Sequence, residues 1–235
     1  MSDSLWDEDR AKRYLELYHD PREKKGTQSL LCRDISNYIP KGVEDVLDIG
    51  CGMGHLVPYV IPEGSPVKTD YYGFDYSPTM LKYLKEFFPY VQTMQGDATL
   101  PLKEFNNELM YSFGKNYFDI VTSVSLFIHI PTLEQVERLL KNMYSTCTKA
   151  MVFCVETAGS KKTVREDGLT LRNIPIDWVN DQLRKLGAKP QHITYSHQKL
   201  TYQQFYSVIP TLPQPLQVDP PKLFTRTTIF RVKKA

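Results

Sequence analysis

A chain of 235 residues with 41% hydrophobic and 24% charged residues is long enough to bury one sizeable core, which excludes the disordered and fibrous classes. A formal net charge of +2 excludes a broad electrostatic footprint for a polyanion, leaving Arg22 to Lys25 and Lys161 to Arg165 as local basic runs. Cys32, Cys51, Cys147 and Cys154 show neither paired metal-ligand spacing nor the density of a disulfide scaffold, so reduced thiols, no metal site and a cytoplasmic setting are expected. The acidic N-terminus carries no apolar run of signal length, and no stretch approaches the roughly 20 apolar residues that cross a bilayer, so no membrane insertion is expected.

From Trp6 to about Tyr38 the spacing predicts two helices, the first with Tyr14, Leu15, Leu17 and Tyr18, the second with Leu30, Leu31, Ile35 and Tyr38. Pro21 and Gly26 separate them. After Pro40-Lys41-Gly42, short apolar runs alternate with helical patterns, which signals a parallel α/β sheet. Strands are predicted at Val46 to Ile49, Tyr71 to Phe74, Val91 to Met94, Phe118 to Val124 and Ala150 to Val155. Most of these lack strict alternation, as strands covered on both faces do. Helices are predicted at Leu56 to Ile61, Pro78 to Phe88, Leu133 to Thr146 and Ile176 to Leu186, the last closing on Gly187. Strands near Gln191 to Tyr195 and Phe224 to Val232 would complete seven. The proline- and tyrosine-rich stretch from His197 to Pro221 is too long for a hairpin turn and reads as an insertion.

The run Val46-Leu47-Asp48-Ile49-Gly50-Cys51-Gly52-Met53-Gly54 is an apolar strand entering a turn with glycine at every second position. Glycine permits unusual dihedrals and close approach, so such a turn is expected to bring bare backbone N–H groups and a helix N-terminus against a ligand. The dinucleotide spacing fails, because His55 stands where its last glycine belongs, and no Gly-Lys-Ser or Gly-Lys-Thr closes a P-loop. Asp48 sits just before the turn, where a carboxylate repels pyrophosphate but attracts a ligand carrying ammonium and sulfonium charges.

Asp48 to Gly54 resembles the first motif of the class I S-adenosylmethionine-dependent methyltransferases, in which the glycine turn wraps the methionine part of the cofactor. Tyr72-Gly73-Phe74-Asp75-Tyr76-Ser77-Pro78-Thr79-Met80 is similar to the second motif, whose acid binds both ribose hydroxyls; a carboxylate suits a vicinal diol because it accepts two hydrogen bonds. Gln95-Gly96-Asp97-Ala98 is similar to the third, where an aspartate receives the adenine amino group and a neighbouring N–H meets a ring nitrogen. Phe118 to Pro131 resembles the fourth strand and the loop facing the acceptor. A Pro-Gly-Gly turn common before the family's fifth strand is replaced here by Ser145-Thr146-Cys147-Thr148-Lys149.

The resemblance implies S-adenosylmethionine as cofactor and a Rossmann-like, mostly parallel sheet of seven strands with helices on both faces in a single domain. It implies a helical lid over 1–40, a cofactor core over 41–160 and an acceptor-side part over 161–235 with the 197–221 insertion. Implied cofactor contacts are Tyr14, Asp48, Gly50, Cys51, Gly52, Gly54, Asp75, Tyr76, Asp97, Ala98 and Ser125. Tyr14 reads equally as amphipathic core, Tyr76 as a half-buried surface tyrosine, and Cys51 as a residue chosen for its small size. His129 either takes a proton from the acceptor or packs the loop, and Glu156 either orients an acceptor or ends a strand.

No Asn-Pro-Pro-Tyr or Asp-Pro-Pro-Tyr segment follows the fourth strand, and no cysteine stands in that loop, which sets aside exocyclic and C5 methylation of bases. An acidic metal cluster of the catechol type is likewise not apparent. The expected acceptor is a small or medium-sized metabolite with an oxygen or nitrogen nucleophile. A protein or RNA acceptor, and a non-catalytic cofactor-binding subunit, are the alternatives.

Overall fold

The computed structural model describes residues 7–62, 69–157, 162–164, 170–172, 174–197 and 226–233. Strands β1 (Asp45–Ile49), β2 (Asp70–Asp75), β3 (Gln92–Gln95), β4 (Phe118–Ser123), β5 (Cys147–Thr157), β8 (Lys189–His197) and β9 (Arg226–Lys233) form a seven-stranded sheet of order β3-β2-β1-β4-β5-β9-β8. The first five run parallel, while β9 is antiparallel to both β5 and β8. A separate two-stranded ladder joins β6 (Lys162–Val164) to β7 (Thr170–Arg172). The expected architecture is therefore present, and the insertion at 197–221 falls, beyond His197, outside the described residues.

Alternation along each strand builds two cores. Leu47, Ile49, Phe74, Val121, Phe153 and Phe230 face α5 (Leu102–Phe113), α6 (Leu133–Thr146) and α7 (Ile176–Lys185). Val46, Tyr71, Ile120, Val152 and Ile229 face α2 (Gly26–Ser36), α3 (Val57–Val60) and α4 (Pro78–Phe87). With apolar side chains fully buried on both faces, at ~1.5–3 kcal/mol each, the sheet is held from either side. A column of parallel rings, Phe127 on Phe153 and Phe153 on Phe230, each pair 5.0 Å apart, ties the segment after β4 to the antiparallel strand β9.

Helix α1 (Glu8–Tyr18) is capped by Asp7, α4 by Ser77 with Pro78 in its first turn, and α6 by Thr132. Gly187 takes φ 73 just beyond α7, as its predicted C′ role requires. Helix α5 has no counterpart among the predicted helices. Its Leu102, Phe105, Leu109 and Phe113 recur at helical spacing, and it ends on Gly114 at φ 69. No glycine turn precedes β5: α6 ends at Thr146 and the strand starts at the extended residue Cys147, earlier than the predicted Ala150. Among the described residues no helix is long and apolar enough to cross a membrane.

Candidate cofactor and acceptor site

The strand order reverses between β1 and β4, so the crevice at the C-terminal ends of these parallel strands is where an open α/β sheet takes a ligand. The glycine turn lies at that edge, with φ values of 73, 52 and 89 at Gly50, Gly52 and Gly54. Two of these glycines have opposite surroundings. A Cβ on Gly54 would lie 2.5 Å from Leu84 Cδ1, so helix α4 packs directly on bare backbone. A Cβ on Gly52 would meet nothing within 4 Å, so this glycine faces open space on the ligand side.

The expectation of bare N–H groups in the turn is not met. Gly50 and Cys51 donate to the Phe74 carbonyl at 2.7 and 3.2 Å, Gly54 donates to the Cys51 carbonyl at 3.0 Å, and Gly52 donates to Asp75 Oδ2 at 2.8 Å. The donors fasten the turn to the end of β2, and α3 after it is too short to present an anion site. The glycines serve conformation and close approach, which suits a ligand without phosphate at this position.

Asp75 stands at the tip of β2, half-buried, with Oδ1 accepting the Ser77 N–H at 2.9 Å and Oδ2 accepting that of Gly52. Burial pushes its pKa up, while backbone N–H groups of Ser77, Gly52 and Tyr76 pull it back. Each oxygen keeps a lone pair for a diol hydroxyl beside the open face of Gly52. Asp48 is different: its carboxyl is buried, receiving the Tyr71 hydroxyl on Oδ2 at 2.5 Å and the Thr122 hydroxyl on Oδ1 at 2.8 Å. Desolvation raises its pKa to about 6 against the pull of those two hydroxyls. As placed, Asp48 joins β1, β2 and β4 beneath the turn.

Asp97 accepts both the N–H and the hydroxyl of Thr99 on Oδ1, at 2.8 and 2.7 Å, and so fixes the bend after β3. Buried Asn142 of α6 clamps the same bend by donating to the carbonyls of Ala98 and Leu100, both at 2.9 Å. Tyr76 is half-buried, with its carbonyl accepting Gln95 Nε2 at 3.3 Å. The Cys51 thiol packs against Gly73, and burial together with Asp75 and Asp48 drives its pKa well up, so it is no nucleophile.

Helix α1 covers the turn. Ala11, Met53 and Met80 form a small buried core, with Tyr14, Leu15, Tyr83 and Phe87 packed around it. Tyr14 meets His55 edge-on at 5.6 Å. His55, the residue that breaks the dinucleotide spacing, fastens this lid: its Nε2 donates to the His19 carbonyl at 3.2 Å, since a carbonyl can only accept. Burial lowers the His55 pKa and keeps the ring neutral. At the outer end of the lid Tyr83 donates to Glu8 at 2.7 Å.

At the tip of β4, Ser125 adopts φ 56, a left-handed conformation uncommon outside glycine, and its N–H lies 3.2 Å from Cys154 Sγ. Its hydroxyl reaches Gln28 of α2 at 3.4 Å, which closes the crevice from the lid side. His129 ends a single 3₁₀ turn, Phe127–His129, and is half-buried, with β7 running alongside that turn. Glu156 falls within β5, in register with Thr227. The structure thus gathers the glycine turn, Asp75, Asp97, Ala98, Tyr14 and Ser125 around one edge of the sheet. Gln28, His55, Thr122 and Asn142 join them without any local sequence signal. Among the described residues, no group of three or more His, Cys, Asp or Glu residues is placed to hold a metal ion.

Residues 46–150 match the family model of a methyltransferase domain. The fold is shared with magnesium protoporphyrin IX methyltransferase from Synechocystis PCC 6803 with bound S-adenosylmethionine, at TM-score 0.61 and 13% identity over 100% of this chain and 98% of that one. A TehB-like S-adenosylmethionine-dependent methyltransferase from Corynebacterium glutamicum superposes at TM-score 0.58 and 16% identity, over 95% and 98% of the two chains. A Bacillus halodurans C-125 chain classed as a methyltransferase does so at TM-score 0.59 and 17% identity, over 86% and 98%. No curated protein matches the chain by sequence.

Proposed function

We propose that this chain, whose residues 46–150 match a methyltransferase-domain model, is a class I S-adenosylmethionine-dependent methyltransferase that methylates an oxygen or nitrogen nucleophile of a small or medium-sized metabolite. The observation that carries the cofactor part is Asp75 held at the open side of Gly52, a carboxylate placed for a diol beside backbone a ligand can approach closely. In this reading Asp75 holds the ribose hydroxyls, Asp97 and the Ala98 N–H read the adenine edge, and Tyr76 covers an adenine face. The amino-acid end lies along Gly50 to Gly54 between Tyr14 and Ser125. Asp48 acts from beneath, as the anchor of the turn.

When bound, the cofactor supplies a methyl made electrophilic by its sulfonium charge. The chain's own part is to seat the acceptor atom in line behind that methyl and to keep water out, which lid helix α1 and the Gln28–Ser125 contact favour. A base is needed only for an acceptor that must lose a proton, and in this reading His129, at the end of the turn after β4, takes that role. The four cysteines are free and buried, which suits a reducing compartment such as the cytoplasm. A fold shared with a porphyrin methyltransferase favours a small-molecule acceptor.

The test is methyl transfer from labelled S-adenosylmethionine into an extract split by ultrafiltration. Label in the low-molecular-weight filtrate supports this reading, whereas label confined to protein or RNA replaces it with a macromolecular acceptor. Tight binding of S-adenosylhomocysteine without transfer to either fraction identifies a non-catalytic subunit. For His129, the His129→Gln variant is expected to lose a rise of kcat/KM with pH that the parent shows, while keeping cofactor affinity; an unchanged profile leaves it as a loop-packing residue.

A further inference from the structure

The bend after β3, Gly96 to Leu100, satisfies its backbone unevenly. Gly96 donates to the Asp75 carbonyl at 3.0 Å, Thr99 to Asp97 Oδ1 at 2.8 Å, and Leu100 to the Asp97 carbonyl at 3.3 Å. The N–H groups of Asp97 and Ala98 meet no acceptor among the described residues. Two carbonyls, those of Ala98 and Leu100, are instead held from outside the bend, both at 2.9 Å, by Nδ2 of Asn142 on α6, a residue only 1% exposed. An amide nitrogen fits this post because it offers two hydrogens from one atom without burying a charge.

A planar peptide carries its C=O and the following N–H in opposite directions. By drawing the Ala98 carbonyl toward α6, Asn142 aims the Thr99 N–H away from that helix, at Asp97 Oδ1. The Thr99 hydroxyl donates to the same oxygen at 2.7 Å and completes the hold. These two donors occupy the lone pairs of Oδ1 and leave Oδ2 to accept from a ligand, with the Ala98 N–H as the neighbouring donor. Asn142 keeps its place against its own stability: its Oδ1 is buried with no partner among the described residues, and an unpaired buried oxygen destabilises a fold. We propose that Asn142 is a positioning residue that sets base selectivity at the cofactor site, holding Asp97 and Ala98 in the pattern that takes a 6-amino purine and rejects a 6-oxo purine. The inference rests on the methyltransferase reading above, in which Asp97 and the Ala98 N–H meet adenine, and names what makes that contact selective. A 6-oxo base turns a carbonyl toward the Asp97 carboxylate and a ring N–H toward that of Ala98, so acceptor meets acceptor and donor meets donor. The penalty is full only where both groups are firmly aimed.

The test measures by calorimetry the affinities of the parent chain and of Asn142→Leu for S-adenosylhomocysteine and for S-inosylhomocysteine, its 6-oxo counterpart. The parent is expected to prefer the adenine compound by about 100-fold or more, as a site built around hydrogen bonds does against a mismatched pattern. In Asn142→Leu, close in size but without donors, the preference is expected to fall to about tenfold or less, through weaker binding of the adenine compound. A staple between helix and loop with no positioning role lowers both affinities alike, so an unchanged ratio overturns the inference, as does a parent that binds both compounds equally. Should Asn142→Leu fail to fold, Thr99→Val decides the matter by removing only the hydroxyl donor to Asp97: the ratio is expected to fall about fivefold, and an unmoved ratio overturns the inference. A parent chain that binds neither compound fails the methyltransferase reading instead.

Discussion

The two parts of the chain differ in charge balance, 16 Lys and Arg against 22 Asp and Glu over residues 1–157 and the reverse excess over 158–235. The first 157 residues carry an excess of carboxylates, and three of these, Asp48, Asp75 and Asp97, sit in or beneath the crevice at the ends of the parallel strands. The last 78 hold 13 Lys and Arg against 5 Asp and Glu. A composition summed over the chain reports near neutrality, which conceals that the two parts carry opposite net charge. The packing differs as well: Gly50 and Gly54 of the turn after β1 are closed in by side chains of Leu126 and Leu84, while Gly187 after α7 stands in the open.

That contrast is sharpest at two glycines of left-handed conformation, and the largest expected effect lies there. Gly54→Ala forces a Cβ to 2.5 Å from Leu84 at φ 89, so strain and overpacking together should cost about 3 kcal/mol in denaturant unfolding. Next comes Asp75→Ala, which removes a paired charged acceptor and is expected to weaken S-adenosylhomocysteine binding by about 1.5 to 3 kcal/mol in calorimetry. Unchanged affinity would break the assignment of the crevice.

Asp48 gives the third effect. Its folded pKa, about 6, lies above the unfolded carboxylate range, so the folded state binds its proton more tightly and Asp48 favours folding at low pH. This contribution is lost as pH rises from about 4 through about 6, by roughly 2 kcal/mol. His55 runs the other way, because its lowered pKa costs stability as pH falls below the ordinary histidine value. Comparing the parent with Asp48→Asn at pH 4.5 and 6.5 cancels His55: the parent should lose the larger share of stability between the two, and equal slopes would contradict the burial of a titrating carboxyl. The smallest effect is Gly187→Ala, where φ 73 costs about 1 kcal/mol and no neighbour lies within 4 Å of the added methyl. A loss as large as that at Gly54 would mean that α7 is packed as tightly as the turn.

Much of this was legible in the residues, because the strands of the parallel core are continuous apolar runs and each cofactor motif is contiguous at a strand tip. Asp75, Asp97 and the glycine turn could be placed from local pattern alone. Helix α5 was obscured by Asn106, Asn107 and the flanking Pro101 and Gly114, which read as loop, although Leu102, Phe105, Leu109 and Phe113 keep helical spacing. The inward use of the turn's N–H groups depends on the Phe74 carbonyl and on Asp75, strand neighbours that only the fold brings close. Gln28 and His55 are legible only through the lid, since their partners Ser125 and His19 lie far along the chain.

A calorimetric titration of the purified chain with S-adenosylhomocysteine tests the central claim most directly. One molecule should bind per chain with a dissociation constant on the order of micromolar, about 8 kcal/mol. No uptake at millimolar concentration would show that the open face of Gly52 and the carboxylate of Asp75 do not form a nucleoside site.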